Sequence, residues 1–440
     1  MTRSLRRLST LSLAASIAAL AVPARASEPP PWEAWPWGRT FESPVARPPD
    51  GVVRVCSFDW PICAHGDSPA ATLGALATAE AAMSAFSSRS RLPTPMPDAR
   101  GGSPAFDLYL AKTDGAPLRV GFEAPTSTPV DRAAAFAIVD ARLPEGCARR
   151  TAIARGVAMA MLAAVDGGAD AGSFGVTSSY LAASATGCWT AALQAVDDAQ
   201  EHPERALVRG ADFDDASIVL PLYLEGGFGA GPPGTLLSAL WYGGRQTTPP
   251  EATRFHNQPD LWETIRRVGR AKEKRLDEVM LDIAIARAFY GDREDGQHVA
   301  ESAFAGAFGR VRFDAAWPFR TLPRRVAFTP LEPTGSTYVW IDLAGAPSDL
   351  SLAIHAEWES PVTMRWAVVR VGENGEETSR IEITTERGIR VVERSVLGLG
   401  GLAGLVVVGV NIGDLGINEP FRLDEAPYEP HGGTLYVVRE

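Results

Sequence analysis

The residue types here that can hold a metal or form a covalent intermediate are few, so their spacing is decisive. There are six histidines: His65, His202, His256, His298, His355 and His431. A helical zinc hydrolase site needs two imidazoles at i and i+4, a glutamate beside the first, and a third ligand from a later element. No two of these histidines stand close enough in sequence to share one helical face, and none lies between Gly66 and Glu201. They read as surface or hydrogen-bonded residues, with assembly of distant ones into a site as the alternative. The four cysteines, Cys56, Cys63, Cys147 and Cys188, allow three pairings. We favour Cys56 with Cys63 and Cys147 with Cys188, whose rings would stabilise by about 2.5 and about 4 kcal/mol at the upper end. The rival is a metal site of Cys56, Cys63 and His65, but C-x6-C-x-H is not a standard zinc spacing.

Other chemistries fare no better. Asp212, Asp214 and Asp215 have the acidity for calcium but not the EF-hand spacing or its glycine, and read as a solvated loop. The glycine-rich run 225–231 has no Gly-Lys-Ser/Thr after it. A Gly-x-Ser-x-Gly elbow is absent, and paired cysteines leave no free thiol nucleophile. Carboxylates are numerous, yet none is singled out as a glycosidase pair. The expectation is no catalytic residue, no bound metal and no cofactor.

The element around which the rest is organised is 148–165, ARRTAIARGVAMAMLAAV, apolar on nearly every side. That composition predicts a helix buried in a core, stopped by Asp166-Gly167-Gly168. Its central Gly156 costs about 1 kcal/mol relative to Ala, a penalty that close packing on a sheet or helix would offset. Arg155 should then meet a carboxylate such as Asp166, Asp170 or Glu225, or face an open cleft. Strands are predicted over 52–58, 106–111, 118–121 and 134–139, and a helix over 70–86. Together they predict an α+β domain whose central helix lies under a mostly antiparallel sheet. Residues 172–189 read as a loop entering a helix, and 236–242, 259–268 and 276–290 as helices. Residue 322 onward changes texture. Strands over 325–329, 337–343, 350–357, 363–371, 379–385, 404–412 and 435–439, with a hairpin turn at Asn374-Gly375, predict a β-sandwich.

In its order of parts the chain resembles a bacterial family of secreted zinc metallopeptidases. The segments that carry the resemblance are AIARGVAMAMLAAVDGGAD, LPLYLEGGFGAG with LLSALW, LDEVMLDIAIARAFYG, and the C-terminal VVVGVNIGD and LYVVRE. It implies a zincin-like domain in which Arg155 and Met159 fill the slots of the zinc histidines and Gly156 that of the glutamate. The third ligand would fall near 178–180, where no carboxylate occurs. Arginine repels zinc, methionine is a poor ligand for it, and glycine offers no base. What the resemblance implies is thus a metallopeptidase-like protein that has lost its zinc site. It would serve in binding or scaffolding for a protein or peptide partner not named by the sequence. The alternatives are a hydrolase with an unconventional site, or a purely structural cell-envelope protein.

Residues 1–26 read as a secretory signal peptide: Arg3, Arg6 and Arg7 precede an apolar run, and Ala24-Arg25-Ala26 suits signal peptidase. Export to the periplasm, cell surface or medium follows. The arm 27–51 is Pro-rich with Trp32, Trp35 and Trp37, and reads as an extended segment packed on a domain surface. The α+β domain takes 52–321 and the sandwich 322–440. A net charge of −11 over 440 residues disfavours nucleic acid as a partner, and no later stretch has the roughly 20 apolar residues of a membrane span.

Overall fold

Hydrophobic alternation along the first strands decides which way they face, and so where the central helix lies. The computed structural model describes residues 38–40, 45–49, 51–97, 104–123, 130–209, 217–247, 254–359, 362–385, 388–413 and 428–440. The signal segment, the three arm tryptophans and Asp212, Asp214 and Asp215 lie outside these. The first elements are β1 (Gly38–Thr40), β2 (Val53–Cys56), β3 (Ile62–Gly66), α1 (Pro69–Arg89), β4 (Phe106–Ala111), β5 (Leu118–Glu123), β6 (Ala134–Asp140) and α2 (Cys147–Ala163). Strands β2 to β6 form one sheet in the order β2-β3-β4-β6-β5. This sheet is mixed rather than mostly antiparallel: β3 with β4 and β4 with β6 run parallel, while β2 and β5 are antiparallel edges. The cause is α1, whose long crossover returns the chain to the same end of the sheet before β4.

Helices α1 and α2 cover one face of that sheet. Ile62, Ala64, Leu108, Leu110, Ala137 and Val139 point into a core with Met83, Phe86, Val157 and Met161. Gly156 is pressed into this contact. A Cβ there would sit 2.8 Å from that of Ala137 and 3.3 Å from Leu118 Cδ1, so a side chain at 156 has no room and the glycine's propensity cost is offset by close packing.

The helices α3 (Ala171–Thr186), α4 (Leu193–Glu201), α5 (Val219–Phe228) and α6 (Thr235–Gly244) come next; β7 (Arg254–His256), paired with β1, precedes α7 (Leu261–Ala271) and α8 (Leu276–Arg287). Two expectations are corrected. Residues 172–186 are helix from the outset, because Asp170 caps α3 by accepting from Ser173 N–H at 2.8 Å. Gly226 and Gly227 stand in the last turn of α5 rather than in a turn, since the apolar 219–224 anchors that helix on both sides. Their lack of side chains had suggested a break that tertiary packing overrides.

The C-terminal part is a sandwich. Its strands are β8 (Ala315–Pro318), β9 (Arg324–Leu331), β10 (Ser336–Asp342), β11 (Leu352–Trp358), β12 (Thr363–Val371), β13 (Glu377–Ile383), β14 (Val391–Val396), β15 (Gly404–Gly413) and β16 (His431–Arg439). One sheet is ordered β13-β12-β15-β10-β8 and the other β14-β11-β16-β9. Trp366, Val368, Ile341 and Val407 face Leu352, Ile354, Leu435 and Val437 across the interior. Gly375, at φ +89°, makes the expected β12–β13 turn. The first sheet of the sandwich is buried on its other face too: Val369, Val406, Val408 and Val410 share a core with Met280, Ile283 and Ala284 of α8. This explains why β15 is apolar at nearly every position.

Polar contacts reinforce that junction. Buried Arg365 of β12 meets Asp277 of α8 at 2.8 Å. His298 lies stacked on Phe289, with Nδ1 2.9 Å from Asp295 and Nε2 2.9 Å from Glu377 of β13. Burial disfavours its charge, but the two carboxylate hydrogen bonds outweigh this and hold its pKa above the ordinary histidine value.

Candidate functional site

Both disulfides follow from strand and helix placement. Cys56 and Cys63 face each other across the β2–β3 pair and are bonded, and Cys147 at the start of α2 is bonded to Cys188 just beyond α3. The cysteines are therefore not metal ligands. His65, their neighbour on β3, instead turns to Asp107, with Nε2 2.9 Å from Oδ1. It does so on the sheet face opposite α2. There Arg47, from the segment preceding β2, donates to Asp107 and to Tyr109 and bridges to Glu123 at 3.0 Å. The guanidinium also lies over the Phe136 ring, 4.6 Å from its centre. His65 and Tyr109 stack at 4.6 Å. This His–Asp–Arg–Glu constellation is the densest chemistry-bearing cluster on the first sheet. Sequence spacing did not reveal it, because its members come from four separate segments. The alternation of β3 and β4 was the available signal.

The positions compared with zinc-site slots lie in α2. Met159 is 2 % exposed and belongs to the dry core. Gly156 packs on the sheet, and Arg155 is half-buried. Two of the three carboxylates expected to answer Arg155 are otherwise engaged. Asp170 accepts from Ser173 and Asn257 at the α3 cap, and Glu225 accepts from Leu237 N–H at 2.9 Å. Among the described residues no three His, Cys, Asp or Glu side chains converge to hold a metal ion.

Where α2 ends, a different grouping appears. Asp131 is fully buried, accepts from Gln246 N–H at 2.9 Å through Oδ1, and leaves Oδ2 without a hydrogen bond. Asp166 beside it accepts from Gly168 N–H at 2.8 Å, and Gly244 has no Cβ where one would come within 2.8 Å of Asp166 Oδ2. Burial first, and then the neighbouring Asp166 charge, push the Asp131 carboxyl up to about 8. Asp131 is thus a neutral acid at pH 7. Asp166 also lines a cleft of about 250 Å³ with Ser173, Trp241, Asn257 and Asp260. Asp260 is itself the cap of α7, accepting from Glu263 N–H.

No family model and no curated protein matches the sequence. Three solved structures show a partial likeness. The pre-peptidase C-terminal domain of a Bacillus anthracis collagenase is 8% identical, with 29% of this chain and 97% of that one covered, at a TM-score of 0.19. The Yersinia pseudotuberculosis-derived mitogen is 12% identical over 27% and 86% of the two chains, at 0.18. The infectious bursal disease virus VP2 subviral particle is 10% identical over 27% and 32%, at 0.17. Similarity at this level carries no argument about function. What the coordinates define is an α+β protein with a β-rich C-terminal region and two disulfides. No helix among the described residues is long and apolar enough to cross a membrane.

Proposed function

We propose that this is an exported, metallopeptidase-like protein with a zincin-like first domain and no catalytic zinc site, which acts by binding a protein or peptide partner. One observation carries the reading. The helix that occupies the place of a zinc-binding helix, under a sheet with an antiparallel edge strand β5, is committed to packing, with Gly156 against Ala137 and Met159 buried. A glutamate and two imidazoles cannot stand there without displacing the core. Two disulfides suit an oxidising compartment. The test is the zinc content of the purified mature protein by elemental mass spectrometry, together with a peptide-hydrolysis assay. Zinc well below one equivalent and no turnover are expected; about one equivalent of tightly held zinc would overturn the reading.

A second reading, a hydrolase with an unconventional site, rests on Asp131 and Asp166. A carboxylic acid kept neutral at pH 7 beside an ionised partner is a proton donor of the kind hydrolases use, and Asp166 borders a cleft. Any hydrolysis detected should disappear in Asp166→Asn; activity that survives this change removes the pair from consideration.

A further inference from the structure

The largest cleft among those described runs counter to the charge of the molecule. The chain carries −11 overall, yet this cleft of about 490 Å³ presents Arg205, Arg209, Arg287 and His202 against one acid, Asp198. Its walls are the first turns of α3, the end of α4 and the start of α5, and Arg287 from the end of α8 forms the floor. Rim cations have partners at their outer sides: Arg205 meets Asp198 at 3.1 Å, His202 meets Glu204 at 3.1 Å, and Arg209 approaches Glu332 at 3.8 Å. Arg287 differs from them. It is 2 % exposed. Its guanidinium donates to Gln200 at 2.9 Å, to the Ala199 carbonyl, and to the Pro203 carbonyl at a long 3.5 Å. These bonds cap the end of α4, where carbonyls favour a cation. They use three of five N–H groups, and no carboxylate lies within ion-pair distance. A buried charge of this kind ordinarily has a counter-ion.

We propose that this cleft binds a compact oxyanion, a carboxylate or phosphate group, with Arg287 as its floor and Arg205 and Arg209 closing over it from the rim. Arginine suits the task because its planar fork pairs two oxygens at once. Low-dielectric walls concentrate the field of the cations although the whole protein is acidic. The site is separate from the α2 helix and stands whether or not the reading above survives.

The experiment is a titration of the full mature chain with inorganic phosphate, and separately with acetate, at ionic strength held constant with chloride. Binding is followed by calorimetry and by thermal unfolding. Saturable heat and a rise in Tm beyond the chloride control are expected for at least one anion, and the anion that binds tells phosphate from carboxylate recognition. Arg205→Gln with Arg209→Gln should weaken binding at least about tenfold, the loss of one charge-assisted pair or more, while the Tm without anion stays near that of the parent. Binding unchanged in the double variant overturns the proposal, as does the absence of saturation by either anion. A triple variant, Asp212→Asn, Asp214→Asn and Asp215→Asn, guards against an internal occupant. Anion binding that appears only in that variant means the chain's own acidic segment is the counter-ion, and overturns an external ligand.

Discussion

The two faces of the first sheet have opposite character. The face toward α1 and α2 is dry: Ala64, Leu108, Leu110, Ala137 and Val139 meet Ala, Met and Val of the helices. The other face carries His65, Asp107, Tyr109 and Glu123, drawn together by Arg47. Strand alternation alone separates the two sets, since odd and even residues of one strand cannot share a face. The difference teaches that residues suited to chemistry lie away from the helix on which a metallopeptidase would carry them. It also shows that buried charge in this protein is answered by opposite charge on one face and avoided on the other.

The strongest way to break that contrast is to put charge on the dry face. Gly156→Glu forces a Cβ against Ala137 and buries a carboxylate, so overpacking of about 1–3 kcal/mol is compounded by desolvation. Loss of cooperative folding or a Tm drop of many degrees is expected in a thermal melt, with Gly156→Ala milder but still destabilising. A soluble Gly156→Glu variant with parental Tm would mean that α2 does not press on the sheet.

Removing the central acid from the charged face comes next. Asp107→Ala leaves Arg47 and His65 facing each other without it, which by the behaviour of broken buried ion pairs costs about 3–5 kcal/mol. Chemical denaturation should show that loss, and Asp107→Asn should recover part of it. Equal midpoints for parent and Ala variant would make the cluster a surface decoration.

A third test asks whether like charge at the end of α2 is handled by a proton. The folded-state pKa of Asp131 is about 8, against an ordinary value of 3.8. Folding therefore takes up a proton between those limits; the stability from this group is full below about pH 4 and is lost as pH rises to about 8. Asp131→Asn should gain on the parent over that window by up to roughly 1.4 kcal/mol per pH unit, and no further above it. A pH-independent difference between the two denaturation curves would show that Asp131 is ionised throughout.

The smallest effects belong to the clamps. Opening Cys56–Cys63 by a double serine change should cost about 2 kcal/mol, because the ring is short. His298, whose pKa is held up by Glu377 and Asp295, contributes stability that is present below the unfolded histidine pKa and lost as pH rises through the folded one. His298→Gln should flatten that alkaline loss in urea melts, and an unchanged pH profile would remove His298 from the junction between α8 and the sandwich.

Much of the fold was legible because periodicity and burial coincide. The α2 core helix, β4, β12 and the Asn374-Gly375 hairpin stand where alternation and turn chemistry put them. Less legible were β3, β8 and β14, whose short runs carry too few alternating residues to stand out. The same holds for the first turns of α3, where Gly172 and Ser173 look like loop until Asp170 caps them. As for the sites, sequence correctly pointed to Gly156 as a packing position, but it gave no sign of Asp131 beside Asp166 or of Arg287 under Arg205 and Arg209.

The reason is one of range. Local composition determined which segments are apolar and on which period, which cysteines were near enough to close a small ring, and that no helix carries a histidine pair. Only the tertiary structure decided that the first sheet is mixed, because strand direction depends on how a crossover helix returns. It alone brought residues 131, 166 and 244 to one place, and 205, 209 and 287 to another. Those meetings are set by packing between segments far apart in the chain, and the electrostatics of each site exists only once water has been excluded from between them.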